Sequence, residues 1–175
     1  MFYKKVLIFL AFSLFAYSSS DIKNLESFYC NLKQEITSSS KNVIEYKGKV
    51  FIKKNGKILW KYETPVIKNV YIDNSMAIVD EPDLEQAIFT QLQSEINIIK
   101  LLNDAKKVDN ETLTSTIEDI KYTIKSKDNK IEKILYKDTL DNSVEIFFSN
   151  VVQNESISDD IFKFIIPSHY DVIRK

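Results

Sequence analysis

Apolar residues recur with a period of two along most of this chain. Ile44, Tyr46, Val50 and Ile52 alternate with polar neighbours. Asn55-Gly56 then supplies the positive-φ residues of a tight hairpin turn, and Ile58, Trp60 and Tyr62 alternate up to Pro65. Val70 and Ile72 lead into Asp73-Asn74, Met76 to Val79 returns, and Gln86 to Gln91 reads as a short further strand. Ile120, Tyr122 and Ile124 alternate cleanly, Lys130 to Lys137 pairs back across Asp128-Asn129, and Val144, Ile146 and Phe148 follow Asp141-Asn142. A last strand is predicted from Ile161 to Ile166, with Phe162, Phe164 and Ile166 on one side. Two stretches follow a helical period instead. Asp21 can cap a helix carrying Ile22, Leu25, Tyr29, Leu32 and Ile36, widened by Phe28 and ended by serines 38 to 40. Ser94 to Lys106 places Ile98, Leu101, Leu102 and Ala105 on one face. Eight to eleven strands joined by short hairpins, with two or three helices, predict an antiparallel sheet that curls into a barrel or half-barrel.

The alternation collects Val50, Ile52, Ile58, Trp60, Tyr62, Ile72, Ile78, Tyr122, Ile124, Ile146, Phe148, Phe162 and Phe164 on one side of that sheet. Such a face must be covered, and the two helices are just long enough to lie across it. A filled core explains this, and so does a helix-covered site for a hydrophobic ligand. Burying one sixteen-carbon acyl chain stabilises a complex by about 12 kcal/mol, at ~0.8 kcal/mol per CH₂. A lid that competes for the same face would lower the net affinity and permit release.

Composition narrows the chemistry. The 175 residues are 44% hydrophobic and 28% charged, ordinary for one globular domain, but include only two glycines, one cysteine (Cys30) and one histidine (His169). A phosphate-cradling loop needs clustered glycines, and a Cys/His zinc site needs more ligands, so neither a nucleotide cofactor nor a metal centre is expected. His169 reads as a surface turn residue and Cys30 as an idle or buried thiol. Asp80, Glu81 and Asp83 stand beside Pro82 in a predicted loop and make a poor case for carboxylate catalysis. Lysines predominate among the basic residues and are scattered, with a formal net charge of −1, so no basic face for nucleic acid emerges. Binding is favoured over catalysis.

At the start, Lys4 and Lys5 precede the apolar run Val6–Phe15 and then Ala16-Tyr17-Ser18. That is the layout of a secretory signal over residues 1–18, too short in its apolar part to span a bilayer. The remainder, 19–175, reads as one exported soluble domain. No cysteine follows the run directly, so no lipid is expected on the mature N-terminus.

Several segments together resemble the LolA family of periplasmic lipoprotein carriers. Leu32-Lys33-Gln34 resembles the end of that family's first helix, and Gly48 to Lys54 followed by Ile58 to Pro65 its first hairpin with a tryptophan. Asp80 to Ala87 resembles a loop ending in Leu-x-Gln, with Gln86 as the glutamine, and Phe162 to Pro167 with Asp171-Val172-Ile173 resembles the closing strand and tail. The resemblance implies an α+β fold: an incomplete antiparallel barrel with a helical lid over its concave apolar face. It implies a monomeric, non-catalytic carrier of acylated lipoproteins. Cargo would come from an ATP-driven inner-membrane release complex and pass to an outer-membrane acceptor. The cavity and lid would be lined by Leu25, Phe28, Leu32, Val50, Ile52, Ile58, Trp60, Tyr62, Ile78, Ile98, Leu101, Leu102, Phe148, Phe162 and Phe164. Lys54 stands where the family commonly has an arginine that holds the lid closed, and it lacks the planar fork of that residue. The tail is also short. The alternatives are a general exported lipid binder of the same fold without a lipoprotein partner, and the outer-membrane acceptor, against which the missing cysteine argues.

Overall fold

A computed structural model describes residues 22–73, 75–91 and 98–175. The predicted signal segment, the N-cap Asp21 and the start of the second predicted helix lie outside the described residues. Twelve strands form one sheet: β1 (Ser27–Thr37), β2 (Val43–Lys53), β3 (Lys57–Thr64), β4 (Lys68–Asp73), β5 (Met76–Glu81), β6 (Gln86–Gln91), β7 (Lys106–Lys107), β8 (Thr112–Ile117), β9 (Ile120–Lys127), β10 (Lys130–Lys137), β11 (Ser143–Gln153) and β12 (Asp171–Arg174). Among the described residues there is one α-helix, α1 (Ile98–Asp104), between β6 and β7. The order across the sheet is β12-β6-β5-β4-β3-β2-β1-β11-β10-β9-β8-β7. Neighbours are antiparallel except β12, which runs parallel to β6. The two end strands do not pair with each other, so the barrel stays open.

The sheet curls around α1. The helix packs against both β2 and β8, which are five strand spacings apart, or ~24 Å in a flat sheet. A helix ~10 Å across can reach both only if the sheet bends towards it. Bulges supply bends: register shifts fall between Tyr29 and Asn31 on β1, Ile131 and Lys133 on β10, and Lys47 and Gly48 on β2. At the last of these a Cβ on Gly48 would meet the Lys61 carbonyl oxygen at 1.8 Å, so the two strands approach as closely as they do only with glycine there. At the first hairpin Gly56 alone takes the positive φ expected of Asn55-Gly56, while the Asp128-Asn129 turn has it at both residues. Gly56 has φ 91°, and Asp128 and Asn129 both lie in the left-handed region, at φ 50° and 58°.

Three elements differ from the periodicity. The first predicted helix is strand β1 over most of its length. The helical stripe contains Phe28, Leu32 and Ile36 at a spacing of four, and four is also twice the strand period. β1 pairs over its length with β2 on one side and with β11 on the other, and that non-local pairing decides between the two periods. Ile22 and Leu25 precede the strand and are buried in the core. The second helix ends at Asp104 rather than Lys106, because Lys106 and Lys107 form the edge strand β7. The last predicted strand is absent: Asp159–Phe162 is a 3₁₀ turn whose N-cap Ser158 accepts a hydrogen bond from the Asp160 amide. The final strand comes later, at β12.

Candidate functional site

One face of the sheet, with α1, holds a continuous apolar cluster. Register places Phe28, Cys30 and Leu32 of β1 opposite Ile52, Val50 and Gly48 of β2, and these in turn opposite Ile58, Trp60 and Tyr62 of β3. On the other flank Leu32 lies opposite Phe148, and Ile146, Ile134 and Ile124 continue the row across β11, β10 and β9. The Phe28 and Phe148 rings meet edge to face at 5.6 Å. Ile98, Ile99, Leu101 and Leu102 of α1 are buried against this surface. The helix therefore occupies the space that a concave face would offer a ligand.

Of the residues expected to line the site, Leu25, Phe28, Leu32, Val50, Ile52, Ile58, Trp60, Ile98, Leu101, Leu102 and Phe148 all belong to this cluster, and Tyr62 packs on its margin. Ile78 does not face it. Ile78 lies opposite Tyr71 and Phe89, while its neighbour Ala77 lies opposite Ile72 and shares the inner face. Phe164 packs its ring against Tyr71 at 5.4 Å, on the outer face, and half-buried Phe162 ends the 3₁₀ turn outside the inner cluster. The alternation of residues 161–166 cannot reveal this, because the segment has no strand partner.

The outer face has its own covering. The chain after β11 crosses it, held by Lys53 and Lys57, whose ammonium groups both reach the Asp159 carboxylate. These two cations hold the Asp159 carboxyl down at about 2. Buried Ile157 follows the same path, and its carbonyl accepts from Lys53 Nζ at 3.2 Å. β12 then hydrogen-bonds along β6, and Arg174 lies over the Phe89 ring at 5.5 Å.

The polar candidates divide. Gln34 is on the inner face of β1 and accepts a hydrogen bond from the Tyr62 hydroxyl at 3.1 Å. Gln86 donates to Glu81, which also pairs with Lys68 at 3.0 Å; the Gln86 hydrogen bond, then Lys68, holds the Glu81 carboxyl below its usual range. Asp80 is buried and accepts from Asn69 Nδ2 at 2.8 Å. Asp80 and Glu81, expected in a loop, end strand β5 and hold separate structural bonds. Lys54 is exposed; its ammonium pairs with Glu26 at 2.6 Å and its amide donates to the Glu26 carbonyl. Lys54 thus ties the β2–β3 hairpin to Glu26 at the entry to β1, rather than to α1. Burial pushes the Cys30 thiol well up, which keeps it protonated.

The family model described as "Outer membrane lipoprotein carrier protein LolA" matches residues 23–124. This chain belongs to the LolA family. A Campylobacter jejuni protein named outer-membrane lipoprotein carrier protein is 35% identical over 151 residues, covering 86% of this chain and 88% of its own. One of the same name from Wolinella succinogenes is 32% identical over 170 residues, covering 97% and 98%. Among solved structures, a LolA superfamily protein from Nitrosomonas europaea aligns with TM-score 0.53 at 13% identity, covering 83% of this chain and 94% of that one. An uncharacterised conserved protein from Thermus thermophilus aligns with TM-score 0.54 at 8% identity, covering 87% and 93%. At these identities the structural matches concern the fold, the open curled sheet described above.

Proposed function

We propose that this protein is a periplasmic carrier that takes acylated lipoproteins from the inner membrane and delivers them to the outer membrane. The observation that carries the reading is the inner face: an apolar surface spanning most of the sheet, covered by α1, in a chain of the LolA family. The acyl chains would take the place of α1. Ile98, Ile99, Leu101 and Leu102 contribute roughly 1.5–3 kcal/mol each by burial, together about 6–12 kcal/mol. That is comparable with the ~12 kcal/mol gained from one sixteen-carbon chain. Cargo and helix therefore compete on nearly equal terms, and the complex is reversible without catalysis of any kind.

Further parts of the reading follow from the sequence. Residues 1–18 act as the export signal, and the mature chain works as a soluble monomer. It receives cargo from an ATP-driven release complex and hands it to an outer-membrane acceptor. Lys54 helps to hold the closed state through its attachment of the first hairpin to Glu26. The test is direct. Purified mature protein should keep a triacylated lipoprotein from sedimenting, and the emission of Trp60, the single tryptophan, should shift as cargo displaces α1. Failure of both would overturn the carrier reading. Depletion in the cell should leave lipoproteins in the inner membrane; unchanged sorting with intact lipid binding would point to a general exported lipid binder.

A further inference from the structure

The inner face changes character along its strands. Towards one end Phe28, Ile52 and Ile58 are fully buried. Towards the other, where β1 and β3 end and β2 and β4 begin, the same face carries Gln34, Tyr46 and Tyr62. A cleft of about 190 Å³ opens there, lined by Gln34, Ile36, Tyr46, Tyr62, Val66 and Lys68. The Tyr46 and Tyr62 rings meet edge to face at 5.6 Å, and Trp60 stacks nearly parallel to Tyr62 at 6.4 Å. Burial, then the neighbouring Tyr46, pushes the Tyr62 phenol up to about 12, so it keeps its proton at neutral pH. That proton is donated to Gln34 Oε1. With Oε1 accepting from Tyr62, Nε2 is the donor end of the Gln34 amide beside the cleft.

We infer that this cleft is the subsite for the glyceryl-ester end of a bound diacyl lipid. Gln34 Nε2 donates to an ester carbonyl, and Tyr62 is the positioning residue that aims it. The inference rests on the carrier reading and adds the polar end of the cargo to it. An acyl chain joins its head through a carbonyl that can only accept hydrogen bonds. The boundary between chain and head is matched by aromatic rings with polar tips beside an apolar wall. Gln34 and Tyr62 sit at that boundary, each two residues along its strand from the buried Leu32 and Trp60. The cleft holds roughly six waters' worth of volume, enough for a glyceryl ester and too little for a sixteen-carbon chain, whose place is along the face occupied by α1.

The experiment compares a synthetic diacylglyceryl lipopeptide with its dialkyl-ether analogue of equal chain length, which lacks the carbonyl acceptors. Both are titrated into the mature protein with Trp60 emission as the readout. The wild type should prefer the ester about fivefold, the scale of one hydrogen bond. Tyr62→Phe and Gln34→Met should each reduce the ester-over-ether preference to about one, whatever their effect on overall affinity, with melting temperatures confirming that both variants fold. Repeating the comparison with diester and diether phosphatidylcholine identifies the source of the glyceryl ester. An equal preference means the subsite accepts any diacylglycerol lipid, a preference confined to the lipopeptide means it is tuned to lipoprotein, and either upholds the subsite. Equal binding of ester and ether by the wild type would overturn the subsite and leave the carrier reading standing. Binding of neither would overturn the carrier reading itself.

Discussion

The two faces of the sheet are built from the same strands and hold themselves together differently. On the inner face Phe28, Val50, Ile52, Ile58 and Ile124 form a dry surface sealed by α1. On the outer face of the central strands, Lys33 pairs with Glu35 at 2.6 Å, Lys47 with Glu45 at 2.8 Å and Lys133 with Glu145 at 2.6 Å. Lys33 and Lys133 both lie 4.5 Å from the centre of the Phe147 ring. Exposed ion pairs of this kind stabilise by ~1 kcal/mol at most, because water already solvates both charges. Each fully buried aliphatic side chain opposite them contributes ~1.5–3 kcal/mol. One face therefore holds the fold together while the other keeps it soluble. On the proposed carrier reading, the face that supplies the stability is also the one that opens for cargo.

Substitutions should separate the faces in order of size. Phe28→Ala, which empties a fully buried site packed on Phe148, should lower unfolding free energy by about 3–5 kcal/mol in urea titration; a loss near 1 kcal/mol would mean that the inner face is loosely filled. Gly48→Ala drives a Cβ into the Lys61 carbonyl across the β2–β3 bulge. It should cost ~1–3 kcal/mol, and wild-type stability would show that the bulge relaxes freely. Asp159→Asn tests the strap on the outer face through pH. A carboxyl whose folded pKa is depressed to about 2 binds its proton less readily in the folded state. Its contribution is complete above its ordinary value near 4 and is lost as pH falls towards 2. The variant should flatten the dependence of melting temperature on pH within that window, and an unchanged slope would remove the ion pairs from the account. Smallest of all, Phe147→Leu on the outer face should change stability by less than ~1 kcal/mol. A loss as large as that of Phe28→Ala would erase the distinction between the faces.

Much of the inner surface was legible because its signals are local. A period of two places Val50, Ile52, Ile58 and Trp60 on one side whatever the partner strands, and Gly56 and Asp128-Asn129 turn where their positive φ is tolerated. Glu118 and Asp119 make a turn of the same kind, at φ 49° and 64°, which residue type alone does not announce. Ile78 was misplaced because Met76 to Val79 is apolar on both faces, so alternation offers no phase there. Gln34 could be singled out by resemblance, but its bond to Tyr62, 28 residues away, had no signal in the order of residues.

Taken by itself, the sequence determined an antiparallel sheet with one strongly apolar face, because side-chain alternation and turn preference are properties of neighbouring residues. Tertiary structure alone decided three further things. Residues 27–37 became a strand, because two partner strands hydrogen-bond it and a spacing of four satisfies either period. The segment after β11 went to the outer face, because Lys53 and Lys57 hold Asp159 there. The apolar face came to be filled by α1, because a curled sheet brings β2 and β8 within reach of a single helix.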